Sequence, residues 1–223
     1  SAASDVYKRQ DLAIAVGILG GANQLPIDYD KSMFIGELSL DGTVRHVNGI
    51  VSMASSAREH GIETLYVPAC DAAEAALIPD LTIMPVESLG RLAMHLNGLL
   101  PIEAHVREAL SFDASDLPPY ATDFSEIRGQ EHVKRAIIVA AAGGHNALMI
   151  GPPGSGKTML AQRLPTILPD LLLEEALETT RIYSVAGLLR PGQSLMTTRP
   201  FRAPHHTASS IALIGGGASP RPG

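Results

Sequence analysis

A chain of 223 residues with 45% hydrophobic and 18% charged residues is long enough for one large or two ordinary domains, and its balance excludes disordered and fibrous classes. Its net charge of −6 argues against coating nucleic acid along the whole surface. No apolar run approaches the ~18 residues that span a bilayer and no basic-then-apolar leader opens the chain, so a cytoplasmic protein without a membrane partner is expected, its single cysteine, Cys70, reduced and inert.

The first predicted elements are "MFIGELSL" (33–40) and "TVRHV" (43–47), alternating runs joined by Asp41-Gly42, a dipeptide that suits a hairpin because it tolerates positive φ. "GIVSMASSAREHG" (49–61) reads as a helix stopped at Gly61, and "IETLYVP" (62–68) as a strand. Asp71 to Glu74, "DAAE", has capping-box-like spacing, with the Asp71 carboxylate free to cap a helix running to Leu77. "LTIMPV" (81–86) follows as a strand and "SLGRLAMHLNG" (88–98) as a helix ended by Gly98, giving an α+β or α/β unit. Asp, Ser and Pro118-Pro119 then mark a linker over 99–122. Beyond it, 130–144 reads as a helix stopped at Gly143-Gly144, "NALMI" (146–150) as a short buried strand, and "KTMLAQRL" (157–164) as a helix.

Between that strand and helix stands "GPPGSGKT", Gly151, Pro152, Pro153, Gly154, Ser155, Gly156, Lys157 and Thr158, which satisfies G-x-x-x-x-G-K-[ST] in full. The glycines let successive backbone N–H groups point inward at an anion. Lys157 brings a cation to β/γ-phosphates, and the Thr158 hydroxyl suits the Mg²⁺ that bridges them. Pro152 and Pro153 stiffen the outer arc.

Hydrolysis also requires a carboxylate at the end of a neighbouring strand. After the loop only Asp170, Glu174, Glu175 and Glu178 are acidic. "LLLEE" (171–175) imitates a strand ending in acids, but Pro169-Asp170 looks like a helix start, and Leu171, Leu172, Ala176 and Leu177 form a helical stripe. The chain is therefore expected to bind a nucleotide without cleaving it.

Charge is uneven: residues 1–120 hold 7 Lys/Arg against 16 Asp/Glu, residues 121–223 hold 10 against 7. Arg181, Arg190, Arg199, Arg202 and Arg221 follow Glu178 with no acid among them, and this tail either meets phosphate or has its acidic complement elsewhere. His205 and His206, adjacent in sequence, are poor partners for one metal ion, because neighbouring side chains diverge. Arg199 and Arg202 with Phe201 suit nucleic acid, a neighbouring subunit or ordinary surface.

Taken together, "FSEIRGQEHVKRAIIVAAAGGHNALMIGPPGSGKTMLAQRLPTILP" and "RPFRAPHHTASSIALIGGGASPRPG" resemble the magnesium-chelatase-type AAA+ ATPases of the ComM/YifB family. The resemblance implies a parallel P-loop sheet with helices on both faces, ATP as ligand with Mg²⁺, and adenine folded over by Ile127-Arg128-Gly129-Gln130, so that Ile127 and Gly129 join the binding residues. "FIGELSLDGTVRHVNGIVSMASSAREHGIETLYVP" is similar to the Lon-protease-like domain that precedes the ATPase in that family. Where Lon proteases carry the catalytic lysine this sequence has Val51, so proteolysis is not expected.

The implied organisation is a non-native tip (1–10), a partial Lon-like α+β domain (11–98), a linker (99–122) and an AAA+ domain (123–223) truncated before its second metal-binding motif. For the parent protein the resemblance implies a homo-hexamer acting on DNA. The alternative is a chelatase-like or chaperone-like remodeller of a protein partner.

Overall fold

The computed structural model describes residues 9–107, 120, 122–190, 193–204, 207–209 and 214–216. Its elements are α1 (Asp11–Gly21), β1 (Ser32–Phe34), β2 (Glu37–Leu38), β3 (Val44–Arg45), α2 (Ile50–Glu59), β4 (Thr64–Pro68), α3 (Ala72–Ala75), β5 (Thr82–Val86), α4 (Leu89–Leu96), α5 (Glu131–Gly143), α6 (Lys157–Arg163) and α7 (Leu173–Ala186), a mixed α/β set. Backbone packing groups the described residues from 9 to 107 and from 177 to 196 into one unit, and those from 120 to 176 and from 197 to 204 into a second.

In the first unit β1, β4 and β5 form a parallel sheet in the order β1-β4-β5, with Phe34 opposite Tyr66 and Tyr66 opposite Met84. Parallel strands need helical crossovers, and the sheet is consequently covered on both faces. The two-residue period of β4 divides its side chains: Leu65 and Val67 join Ile50, Val51, Ala54 and Ile83 in one apolar cluster. Tyr66 joins Leu12, Val16, Phe34, Val86 and Leu92 in the other. Within the second cluster the Phe34 and Tyr66 rings stack, centroids 4.6 Å apart. Leu177 and Leu195 pack on the first cluster. Ser184 Oγ there accepts from the buried Gly49 N–H at 2.9 Å and donates to Glu74.

The expected helices at 49–61 and 88–98 and the strands at 62–68 and 81–86 form within a few residues of their predicted bounds. Ser88 caps α4 by accepting from the Arg91 N–H at 3.2 Å. The run at 33–40, expected as one strand, is two. β1 pairs in the parallel sheet, whereas β2 pairs antiparallel with β3, the change falling at Ile35-Gly36. Gly36 is packed so tightly that an added Cβ would meet Val44 Cγ1 at 2.7 Å. The hairpin itself turns at Asp41-Gly42 as expected, with Gly42 at φ +84° and the Asp41 carboxylate accepting from the Thr43 N–H and hydroxyl.

A further expectation in this unit is corrected. Asp71 does not cap the helix after it: a 3₁₀ turn at Ala69–Asp71 leads into the four-residue α3 with no side-chain cap. The carboxylate is instead turned across to the residues just after β3, where it accepts from the Val47 N–H at 3.0 Å and meets His46 Nδ1 at 2.5 Å. The stretch 11–21, to which the sequence reading assigned no element, is the helix α1 and buries Leu12 and Val16. Arg9, placed by sequence in a non-native tip, accepts from the Gly36 N–H at 3.2 Å. Residues 99–107, assigned to the linker, lie on this unit through His105 N–H to Ile83 O at 2.8 Å and Ile102 N–H to His95 Nδ1 at 2.9 Å.

The second unit is built on a smaller core of Phe124, Ile127, Ile137 and Leu160, which draws α5 against α6. The helices expected at 130–144 and 157–164 are both present, α5 closing at Gly144 with φ +62°. "NALMI" is not a strand: residues 145–150 carry no strand assignment, and Leu148 and Ile150 are 85% and 88% exposed. Among the described residues of this unit no strand lies beside it, and an extended segment becomes a strand only by pairing. α7 confirms that "LLLEE" is not a strand, although the helix begins at Leu173 rather than at Asp170. Of its expected stripe Leu171 and Ala176 are buried, whereas Leu172 is exposed.

Candidate functional site

The glycine-rich loop lies in the second unit, between the unassigned segment 145–150 and α6. Gly154 and Gly156 have φ of +80° and +86°, a left-handed region that side-chain-bearing residues rarely adopt. These two positions curl the backbone, and Gly156 forms the N-cap of α6. At the first glycine the constraint is space: a Cβ on Gly151 would stand 3.1 Å from Ser155 Oγ. α6 is anchored from below by Leu160, 2% exposed in the core cluster.

The Lys157 ammonium folds over the loop, donating to Gly151 O and Pro152 O, each at 2.8 Å, and to Ser155 Oγ at 3.1 Å. One cation thus spans both limbs of the turn and holds it at a fixed width. Pro152 and Pro153 are exposed on the outer arc, and Thr158 is exposed on the first turn of α6. The loop is tied to the Ile127–Gln130 turn by Gln130, whose Nε2 donates to Ser155 O at 3.0 Å. Gln130 itself has φ +54° and follows Gly129 at φ +69°, so two successive left-handed residues deliver that side chain. Ile127 is buried, 4% exposed, in the cluster with Leu160. The structure therefore brings the Ile127–Gln130 turn and the Gly151–Thr158 loop together.

Arg199, expected as a candidate for phosphate, is committed inside its own unit. It donates to Pro169 O at 2.7 Å and pairs with Glu175 at 2.9 Å. Glu175 also accepts from the Leu172 N–H at 3.0 Å, tying down the start of α7, and these partners hold its carboxyl below the usual range. In the first unit Arg181 donates to Ser55 Oγ at 3.2 Å. Phe201 and Arg202 are exposed, and His205 and His206 lie outside the described residues.

The family model "Magnesium chelatase, subunit ChlI" matches residues 123–223, and the model "Subunit ChlI of Mg-chelatase" matches residues 5–71. Competence protein ComM of Haemophilus influenzae is 40% identical over 222 residues, and the uncharacterized protein YifB of Escherichia coli is 40% identical over 221. The chain belongs to the ComM/YifB magnesium-chelatase-like family. Within that family an uncharacterized Mycobacterium tuberculosis protein is 41% identical over 215 residues. Each of these alignments takes in 96% of this chain. The chain spans about two fifths of the length of these relatives, 41% of the YifB protein and 42% of the other two. No helix among the described residues of this ComM/YifB-family chain is long and apolar enough to cross a membrane.

The sequence missed Gln130 as the residue that joins the turn to the loop. Its signal was available only in part, as a polar residue after a glycine and before a helix.

Proposed function

We propose that the chain is the nucleotide-binding part of an AAA+ ATPase, holding ATP and Mg²⁺ at Gly151–Thr158 with Ile127 and Gly129 beside the base. The observation that carries this reading is the loop: two left-handed glycines, a first glycine without room for a Cβ, and a lysine drawn over the turn. A triphosphate fits this arrangement. Backbone N–H groups at an αL-containing turn form an anion-binding concavity. Lys157 exchanges the carbonyl oxygens of Gly151 and Pro152 for phosphate oxygens, and Thr158 offers its hydroxyl to the metal. The Mg²⁺ supplies neutralisation of charge between the β- and γ-phosphates when bound.

Of the four acids after the loop, Glu175 is already engaged with Arg199 and with the start of α7, which supports binding without turnover by this 223-residue chain. The proposed layout is a Lon-protease-like domain at 11–98 on which 99–107 also pack, a linker in the remainder of 99–122 and an AAA+ domain at 123–223, in a cytoplasmic protein. Val51, the position of the Lon lysine, is fully buried among Ile50 and Ala54 on α2, which supports a non-proteolytic role for the first domain.

The whole protein is proposed to be a homo-hexamer that remodels DNA, supported by the likeness to a competence protein. The second reading, remodelling of a protein partner, is favoured by the internal commitment of Arg199. A fluorescent ATP analogue titrated onto the chain tests the site. Binding that disappears in Lys157→Ala is expected, and equal affinity in the variant refutes the assignment. Salt-dependent binding of single-stranded DNA by the full-length protein supports the DNA reading. Salt-independent binding or none favours the protein partner.

A further inference from the structure

The first unit carries a cluster that the nucleotide reading does not use. His46 Nδ1, Cys70 Sγ and an Asp71 carboxylate oxygen lie within 4.8 Å of one another. They line a cavity of about 370 Å³ together with Asn48, Glu74, Ser184 and Arg190. From the gathering of these three donors within 4.8 Å of one another we infer a binding site for a single divalent metal ion of the zinc class.

The donor set selects the metal. An imidazole, a thiolate and a carboxylate together suit a borderline cation such as Zn²⁺, whereas Mg²⁺ and Ca²⁺ take oxygen donors. Two of the three groups already address one oxygen of the third. His46 Nδ1 is 2.5 Å from Asp71 Oδ1, and Cys70 Sγ donates to that same oxygen at 3.6 Å. A cation placed among them replaces those two protons. Tetrahedral coordination at roughly 2.0–2.3 Å separates ligand atoms by roughly 3.3–3.8 Å. The sulfur already stands at that distance, and the imidazole has to retreat by about 1 Å. Its side chain is 57% exposed, so it has the space to do so.

Two further contacts hold the donors in the required state. Asp71, 3% exposed at its side chain, gives Oδ2 to the Val47 N–H, which leaves Oδ1 facing the cluster. His46 Nε2 meets Asn48 Oδ1 at 3.0 Å. An Nε2–H donated to an amide oxygen is the usual outer support of a ligating histidine, and it leaves the Nδ1 lone pair to a metal once the proton shared with Asp71 is displaced. The hydrogen bond to Asp71 raises the His46 pKa to about 9, and burial raises that of the Cys70 thiol to about 11.

The test is titration of the metal-stripped full chain with Co²⁺, without nucleotide, followed by displacement with Zn²⁺. One equivalent with a sulfur-to-cobalt charge-transfer band and tetrahedral visible bands is expected, with loss of the charge-transfer band in Cys70→Ser. Asn48→Ala leaves the three donors in place and is expected to weaken zinc roughly 10–100-fold by freeing the imidazole. Absence of a cobalt–sulfur band in the folded chain overturns the inference. So does a zinc affinity that is the same in wild type, Cys70→Ser and His46→Ala, since the ion then sits elsewhere.

Discussion

Replacing Gly36 with alanine places a methyl group where the chain leaves the parallel sheet for the hairpin, and the neighbours there are fixed. The new Cβ would stand 2.7 Å from Val44 Cγ1, 3.3 Å from Leu12 Cδ2 and 3.5 Å from Leu12 Cβ. Carbon pairs are most favourable at about 3.5–4.0 Å, so the first contact is about 1 Å too close. Leu12 is fully buried and Val44 nearly so, which leaves neither side chain an easy retreat. Overpacking of this kind costs about 1–3 kcal/mol. Reduced freedom of the unfolded chain returns about 0.4–1 kcal/mol, since no left-handed φ penalises alanine at this position. A net loss of about 1–2 kcal/mol follows, which lowers Tm on the order of 5 °C for a chain of this size. Urea denaturation followed by circular dichroism measures it, and Val44→Ala in the same background makes room for the methyl group. An unchanged midpoint in Gly36→Ala refutes the steric argument. So does a coupling energy between the two sites below about 0.5 kcal/mol.

Other expectations are narrower. Ser184→Ala removes the acceptor of the buried Gly49 N–H and the donor to Glu74, and is expected to cost about 1–3 kcal/mol in thermal or urea unfolding. His95 has its pKa lowered, first by burial and then by Arg91, and its Nδ1 accepts from the Ile102 N–H. A histidine with a depressed folded pKa contributes stability that is present above its unfolded value of 6.5 and is lost as pH falls through the folded value. Hydrogen exchange at the Ile102 amide should therefore accelerate, after correction for intrinsic rates, as pH is lowered beneath 6.5. An amide equally protected at pH 5 and pH 8 contradicts that role.

How much of this was legible depended on whether the deciding interaction was local. Asp41-Gly42 and Ser88 specify a turn and a cap through atoms two or three residues away, and both were readable. The glycine loop was readable for the same reason, since its curl and its lysine bonds all lie within Gly151–Lys157. α1 was not, because "DLAIAVGILGG" is apolar nearly all round and shows no helical period. Asp71 was misread because a carboxylate at a helix start has two outlets, the helix amides and whatever faces it in space. His46 and Val47, 25 and 24 residues away, took it. "NALMI" has the composition of a strand, but strand formation is a property of a pair, and composition does not contain the partner.

The exposed Leu148 and Ile150 follow from that last point and have a colloidal consequence. Two large exposed aliphatic side chains on a segment with no strand partner among the described residues are the kind of feature that pairs with another chain carrying the same segment. At the dilution of a binding assay, solvent satisfies that segment. At the concentrations of a structural sample, copies are expected to pair through it, so aggregation is expected to depend on the five residues beside the glycine-rich loop more than on the stability of either core.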